Sequence, residues 1–142
     1  MENSLTAHAS IEINATPAAV WEGLTNPEIV KQYFFGTDLV TDWQVGHPVF
    51  FRGEWEGKSY EDKGEVLIFE PEKHIQINYW SNLSGTEDIP EDYAVIDYNL
   101  SRTDTGTLVS IDQTGSKDET SRDHSASSWQ GVLAGLKQLL EK

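Results

Sequence analysis

The stretch TSRDHSASSWQGVLAGLKQLLEK (residues 120–142) carries the signal that decides the fold. Its large apolar residues recur at spacings of three and four, the period of one face of an α-helix. They are Trp129, Val132, Leu133, Leu136, Leu139 and Leu140. Such a stripe predicts one long amphipathic helix, and that helix must bury its apolar face against another layer of structure. We therefore expect it to lie across a sheet.

The residues before this helix predict that sheet. From Asp38 onward, apolar and polar residues alternate as in half-buried strands, and Gly, Pro, Asn or Asp residues separate the runs. The runs lie near 38–42, 47–55, 58–69, 74–80, 92–101 and 106–114. Their short connections favour antiparallel pairing, because a parallel crossover needs about a dozen residues.

The N-terminal part predicts one strand and two short helices. Residues alternate between apolar and polar from Ala7 to Asn14, which indicates a strand. Thr16-Pro17 and Asn26-Pro27 each place a capping side chain before a proline, which predicts short helices that end near Thr25 and Tyr33. The predicted order is β-α-α-β-β-β-β-β-β-α. This is an α+β fold in which a curved antiparallel sheet grips the C-terminal helix and leaves room for a cavity.

Composition indicates a single acidic domain without cysteine. A chain of 142 residues suits one core, so we expect one domain over 1–142, with residues 1–6 flexible. The net charge of −14 disfavours binding to nucleic acids and to anionic membranes. The absence of Cys excludes disulfides and Cys-ligated zinc. Because no signal peptide and no long apolar run is seen, we expect a cytoplasmic protein without membrane insertion.

Short motifs along nearly the whole chain resemble one protein family. They are ATPAAVW (15–21), DWQVG (42–46), DKGEV (62–66), EPE (70–72) before a strand ending in YW (79–80), and WQGVL (129–133) with LK (136–137). Their order and spacing resemble the Aha-type heat-shock ATPase activator-like proteins of the START-like (SRPBCC) superfamily of helix-grip folds. The resemblance implies an apolar pocket that relatives use for lipids, sterols, polyketides or other hydrophobic molecules. Some relatives are cyclases, and the eukaryotic namesake activates a chaperone ATPase.

The side chains predicted to line this pocket are the inward-facing aromatic and aliphatic residues. They are Trp43, Phe51, Trp55, Tyr60, Ile77, Tyr79, Ile96, Tyr98, Val109, Ile111, Trp129 and Leu133. Ordinary core packing is the alternative for each of them. Small-molecule sites nevertheless combine apolar walls with a few polar tips, which Tyr and Trp supply. The same alternation places Asp97 and Asp112 on the solvent side, and Gly57 marks a solvated hairpin turn.

Familiar catalytic and metal-binding signatures are missing from the sequence. It contains no HExxH, GxSxG, P-loop or GxGxxG motif. The four histidines lack metal-ligand spacing, and we interpret the acidic loop at 85–92 as a solvated connector. We expect neither a metal nor a cofactor.

Three functions remain compatible with the sequence. The favoured one is a module that binds a small hydrophobic molecule, as a monomer or homodimer; a fully packed interior would argue against it. The second is a cyclase- or hydrolase-like enzyme in which the hydroxyl of Tyr79 or Tyr98 polarises a carbonyl, although the sequence identifies no neighbour to activate either tyrosine. The third is a co-chaperone or stress-related module with a protein partner, which the acidic surface could meet through basic groups.

Overall fold

An open antiparallel sheet wraps around one long helix. In the described part of the chain (residues 5–34, 36–55, 57–81, 93–116 and 118–141), the computed structural model contains seven strands and three helices. They are β1 (Leu5–Ile13), α1 (Pro17–Thr25), α2 (Pro27–Tyr33), β2 (Asp38–Val40), β3 (Pro48–Trp55), β4 (Lys58–Glu70), β5 (His74–Ser81), β6 (Ala94–Arg102), β7 (Thr107–Ser116) and α3 (Glu119–Leu140). The strand order is β1-β7-β6-β5-β4-β3-β2, so β1 and β2 form the open edges. The predicted α+β helix-grip layout and element order are confirmed.

The observed boundaries lie close to the predicted ones. β1 begins at Leu5, inside the segment 1–6 that we expected to be flexible. The predicted run at 38–42 is a strand only over Asp38–Val40. Gly57 has a φ of 82°, the left-handed conformation that the predicted hairpin between β3 and β4 favours. The acidic loop at 85–92 lies outside the described residues.

The two short helices begin at the predicted capping residues. Thr16 and Asn26 each accept a hydrogen bond from a backbone N–H of the first turn, at 3.1 and 2.9 Å. Each cap is followed by proline, whose missing N–H costs nothing at that position. α3 is capped in the same way by Asp118, which accepts from the N–H of Ser121 at 2.8 Å.

The core lies between the concave face of the sheet and the apolar stripe of α3. Buried strand residues on this face are Ile75, Ile77, Ile96, Tyr98, Leu100, Val109 and Ile111. The buried stripe residues are Trp129, Val132, Leu133 and Leu136. Alternation therefore predicts the buried face of the strands correctly, and the spacing of three and four predicts the buried face of α3.

The opposite phase of the same strands carries polar side chains. Asp97 and Asp112 face each other across β6 and β7 on the outer side of the sheet, as the alternation predicted. Asp97 accepts a 2.6 Å hydrogen bond from His74, and Asp112 pairs with His8 at 2.6 Å. Both carboxylates are thus kept out of the core.

α3 also protects the edge strand β1. The side chains of Gln130 and Lys137 donate to the backbone carbonyls of Ser10 and Glu12, each at 3.0 Å. An unpaired strand edge otherwise offers free carbonyls to other chains. The helix is therefore fixed along β1.

Candidate functional site

A continuous row of aromatic rings crosses the concave face; we call it the aromatic arc. It runs from Tyr79 on β5 through Phe51 on β3 and Phe34 after α2 to Trp129 on α3 and Tyr98 on β6. Successive ring centroids are 6.2, 6.0, 5.7 and 5.9 Å apart. Such spacings are typical of favourable aromatic contacts, each worth about 0.5 to 1.5 kcal/mol beyond the area buried. The arc joins the sheet, α2 and α3.

The arc borders a small void between α2, the sheet and α3. Its volume is about 10 Å³. The other residues around it are Leu24, Val30, Tyr33, Leu39, Trp43, Ile111 and Val132. One water needs roughly 10 to 15 Å³ of such space, whereas ligand pockets commonly measure about 300 to 1,000 Å³. Among the described residues, the void at this position is thus too small for such a ligand, and the predicted cavity stays a prediction.

A carboxylate meets the arc at the Tyr79 end. Asp62 lies on the same face of β4 as the buried Val66, because residues two and four apart share a face. The Tyr79 hydroxyl donates a hydrogen bond to Asp62 Oδ2. The sequence analysis could not identify a partner for Tyr79, and Asp62 is that partner.

An amide meets the arc at the Trp129 end. The indole N–H of Trp129 donates to Gln113 Oε1 at 2.7 Å. Gln113 is two residues after Ile111 on β7 and shares its face. Burial raises the pKa of the nearby Tyr98 hydroxyl above its usual value, so this phenol stays neutral at ordinary pH.

Trp43 fastens the loop before β3 to the first helix. Its indole N–H donates to the carbonyl of Thr25 at 3.0 Å, and its ring stacks on Phe69 with centroids 5.6 Å apart. The backbone φ of 59° at Trp43 is in the left-handed region, which is unfavourable for a bulky side chain. These contacts hold Trp43 in place despite that cost.

The predicted pocket residues fall into three groups. In the aromatic arc or around the void lie Trp43, Phe51, Tyr79, Tyr98, Ile111 and Trp129. In the packed core, at most 1% exposed, lie Ile77, Ile96, Val109 and Leu133. The side chains of Trp55 and Tyr60 lie outside the described residues. The structure thus brings half of the predicted set together, and the ligand-binding role itself stays a prediction.

One ring of the aromatic arc and the polar partner at each of its ends were missed at the sequence level. Asp62 and Gln113 share a strand phase with Val66 and Ile111, so alternation could have found both. Phe34 follows the last residue of α2, where neither helical nor strand periodicity applies. Only the tertiary packing identifies it.

The outer face of the sheet carries a wider, open groove. Its volume is about 520 Å³. Its walls are Pro48, Phe50, Lys63, Gly64, Glu65, Asn78 and Tyr93. This groove lies on the side of the sheet opposite to the arc and is separate from it.

Metal-binding geometry is not found within the described ranges. No group of three or more His, Asp or Glu side chains there is arranged to hold a metal ion. His8, His47 and His74 instead each pair with one aspartate, at 2.6, 2.7 and 2.6 Å. No helix among the described residues is long and apolar enough to cross a membrane.

The open sheet, the long gripped helix and the aromatic arc define a START-like helix-grip protein. Residues 14–141 match the family described as Activator of Hsp90 ATPase homolog 1-like protein, and the chain belongs to this family. No curated protein matches the sequence.

Solved structures agree with this assignment. A solution structure of a Cytophaga hutchinsonii protein is 42% identical, with a TM-score of 0.86 over 99% of this chain and 97% of that one. A crystal structure of a Mesorhizobium loti protein is 25% identical, with a TM-score of 0.77 over 96% and 97%. The Aha1 dimer from Colwellia psychrerythraea is 19% identical, with a TM-score of 0.74 over 96% of each chain, which is a likeness of fold alone.

Proposed function

We propose that this protein binds a small hydrophobic molecule between the sheet and α3, at the aromatic arc. The observation that carries the proposal is an apolar aromatic wall with a hydrogen-bonding side chain at each end, Asp62 and Gln113. Small-molecule sites have this combination of broad apolar walls and a few polar groups that set orientation. The family resemblance supports the same function.

Binding at the arc requires it to open, because the void of about 10 Å³ admits no ligand. Phe34 is the side chain best placed to move. It follows a helix of seven residues, which is too short to be stable without its tertiary contacts. Its ring packs between Phe51 and Trp129, at 6.0 and 5.7 Å. A ligand ring that replaced Phe34 would meet the same two neighbours.

The test uses N-phenyl-1-naphthylamine, a neutral probe whose fluorescence rises in apolar surroundings. In the native protein the closed state reduces the apparent affinity, since only the open fraction binds. Phe34→Ala removes the ring that closes the site, so this variant should bind the probe more tightly. The matched control is Phe50→Ala, which removes a phenylalanine from the outer groove instead.

The affinities of the two variants for the probe distinguish binding at the arc from binding in the outer groove. Tighter binding by Phe34→Ala with unchanged binding by Phe50→Ala supports the arc. Loss of binding only in Phe50→Ala would place the probe in the outer groove and contradict the proposal. Weaker binding by Phe34→Ala would contradict the opening step, because Phe34 would then be part of the binding wall.

A cyclase- or hydrolase-like reaction is the second candidate, and one observation favours it. The Tyr79 hydroxyl donates to the Asp62 carboxylate on the concave face, so Asp62 is placed to accept the phenol proton when the tyrosine oxygen acts as a nucleophile or base on the substrate. Tyr98 lacks that advantage, because its buried hydroxyl has a raised pKa. Turnover of p-nitrophenyl acetate that is lost in Tyr79→Phe and kept in Tyr98→Phe would support this function. Turnover that is unchanged from the native protein in both variants would remove it.

A further inference from the structure

We propose that the molecule bound at the arc carries a hydrogen-bond-donating head group, an amine or a hydroxyl, and not a carboxylate. This inference rests on the proposed function and specifies the class of its ligand. The structural basis is the pair formed by Asp62 and Tyr79 at one end of the arc.

Asp62 and Tyr79 together present mainly hydrogen-bond acceptors to a ligand. The Tyr79 hydroxyl spends its single proton on Asp62 Oδ2, so its oxygen offers only lone pairs to a further partner. An ionised carboxylate is likewise an acceptor without a proton to donate. A head group that comes to this pair is therefore matched when it brings N–H or O–H donors.

The location strengthens that preference. Asp62 is half-buried, and its Oδ1 is shielded from solvent. A charge that is partly removed from water interacts more strongly with a neighbouring charge than one at the surface does. An amine next to Asp62 is attracted, whereas a carboxylate is repelled by Asp62 and by the net charge of −14.

Two positive side chains whose contacts the structure describes, one on β3 and one on β4, point away from the arc. Arg52 pairs with Glu61 at 2.6 Å on the outer face, and Lys63 lies over the ring of Trp80 at 5.5 Å. Both positions are one residue out of phase with the concave face.

The strongest competitor is Arg122 on α3. It lies seven residues, two helical turns, before Trp129 and so shares its face of the helix. Its guanidinium pairs with Asp123 at 3.1 Å, which offsets its charge. If Arg122 rather than Asp62 anchored the head group, a carboxylate ligand would be preferred. The experiment therefore includes both residues.

The experiment compares four probes that share one ring system: 1-methylnaphthalene, 1-naphthylmethylamine, 1-naphthalenemethanol and 1-naphthoate. Affinities are measured by displacement of N-phenyl-1-naphthylamine from the native protein, from Asp62→Asn and from Arg122→Gln. A charge-assisted hydrogen bond corresponds to about a tenfold gain or more. We expect the amine and the alcohol to bind at least that much more tightly than 1-methylnaphthalene, and 1-naphthoate to bind more weakly.

The variants assign this preference to a residue. Asp62→Asn should lose the advantage of the amine and keep the affinity for 1-methylnaphthalene, while Arg122→Gln should behave as the native protein does. If Asp62→Asn does not fold by circular dichroism, Tyr79→Phe serves instead: it keeps the ring, removes the hydroxyl and should reduce the preference for the alcohol.

The outcomes test the donor preference of the ligand separately from the proposed binding function. Equal binding of all four probes would overturn the donor preference and leave the binding function standing. Tightest binding by 1-naphthoate, lost in Arg122→Gln, would overturn it in favour of an anionic ligand. Binding of none of the probes, including the displaced one, would overturn both.

Discussion

Truncation of Trp129 is the most informative test of how α3 packs against the sheet. Its side chain is 8% exposed, and its ring contacts Phe34 and Tyr98 within the arc. Trp129→Ala removes these contacts and leaves a void that the surrounding strands cannot fully close. Substitutions of this kind in protein cores cost about 3 to 5 kcal/mol. We expect the unfolding free energy to fall by that amount.

A second variant divides this cost into packing and hydrogen bonding. Trp129→Phe keeps an aromatic ring but loses the N–H that donates to Gln113 at 2.7 Å. A hydrogen bond of this kind contributes about 0.5 to 1.5 kcal/mol, to which the lost volume adds a packing cost. The phenylalanine variant should therefore be clearly more stable than the alanine variant.

The assay is urea unfolding followed by far-ultraviolet circular dichroism, since tryptophan fluorescence changes with the substitution itself. The linear dependence on urea gives the unfolding free energy of each variant. In thermal unfolding the alanine variant should melt roughly 10 to 20 °C lower. A loss well under about 3 kcal/mol together with altered affinity for N-phenyl-1-naphthylamine would indicate a solvated pocket instead of a packed core. A variant normal in both would show that the helix face is wrongly placed.

Three further substitutions test the surrounding framework. Gly131→Ala should stabilise the protein by about 1 kcal/mol in urea unfolding, since nothing lies within 4 Å of the added methyl group on α3; an unchanged midpoint would contradict this. Gly64→Ala should destabilise it by about 3 kcal/mol or more, because the new Cβ would lie 1.8 Å from the Asn78 carbonyl oxygen; full stability would refute that close approach. A hydrogen bond from Lys137, together with one from a backbone N–H, holds the pKa of the Glu141 carboxylate below its usual value. The ionised carboxylate therefore stabilises the folded protein, and this stabilisation is fully present above the usual pKa of about 4.3. This stabilisation is lost as the pH falls through the lower folded-state pKa. Between pH 5 and acid, the unfolding free energy of Glu141→Gln should therefore fall less steeply with pH than that of the native protein. An equally steep fall in both proteins would contradict this.

The fold was predictable because its signals are periodic. Spacings of three and four define α3, and alternation defines the strands and their buried face. The caps at Thr16 and Asn26 are local chemistry within a few residues. Each of these signals depends on neighbours in the sequence, so no knowledge of the tertiary structure was needed. The capping aspartate at 118 carries the same kind of signal.

The site was less predictable because its decisive features depend on contacts between distant residues. Whether an inward residue lines a space or fills it depends on the volume of side chains from other elements. Ile77 and Tyr79 share a strand phase, yet Ile77 is 1% exposed in the core, while Tyr79 lies in the arc and bonds Asp62. Phe34 follows a helix end and packs between Phe51 and Trp129, which lie far from it in the sequence.

The fold does not require the polar side chains of the site. The gripped helix is held by apolar residues such as Leu133, which any protein of this architecture can supply. A carboxylate on the concave face adds no apolar packing, and its partial removal from water opposes folding, a cost that the hydrogen bond from Tyr79 offsets in part. Under the proposed function, Asp62 serves ligand recognition, and departures from local consistency are expected at functional sites. One backbone can serve different ligands. Under the proposed function, the apolar stripe of α3 holds the helix on the sheet, and the few polar side chains at the ends of the arc select the ligand.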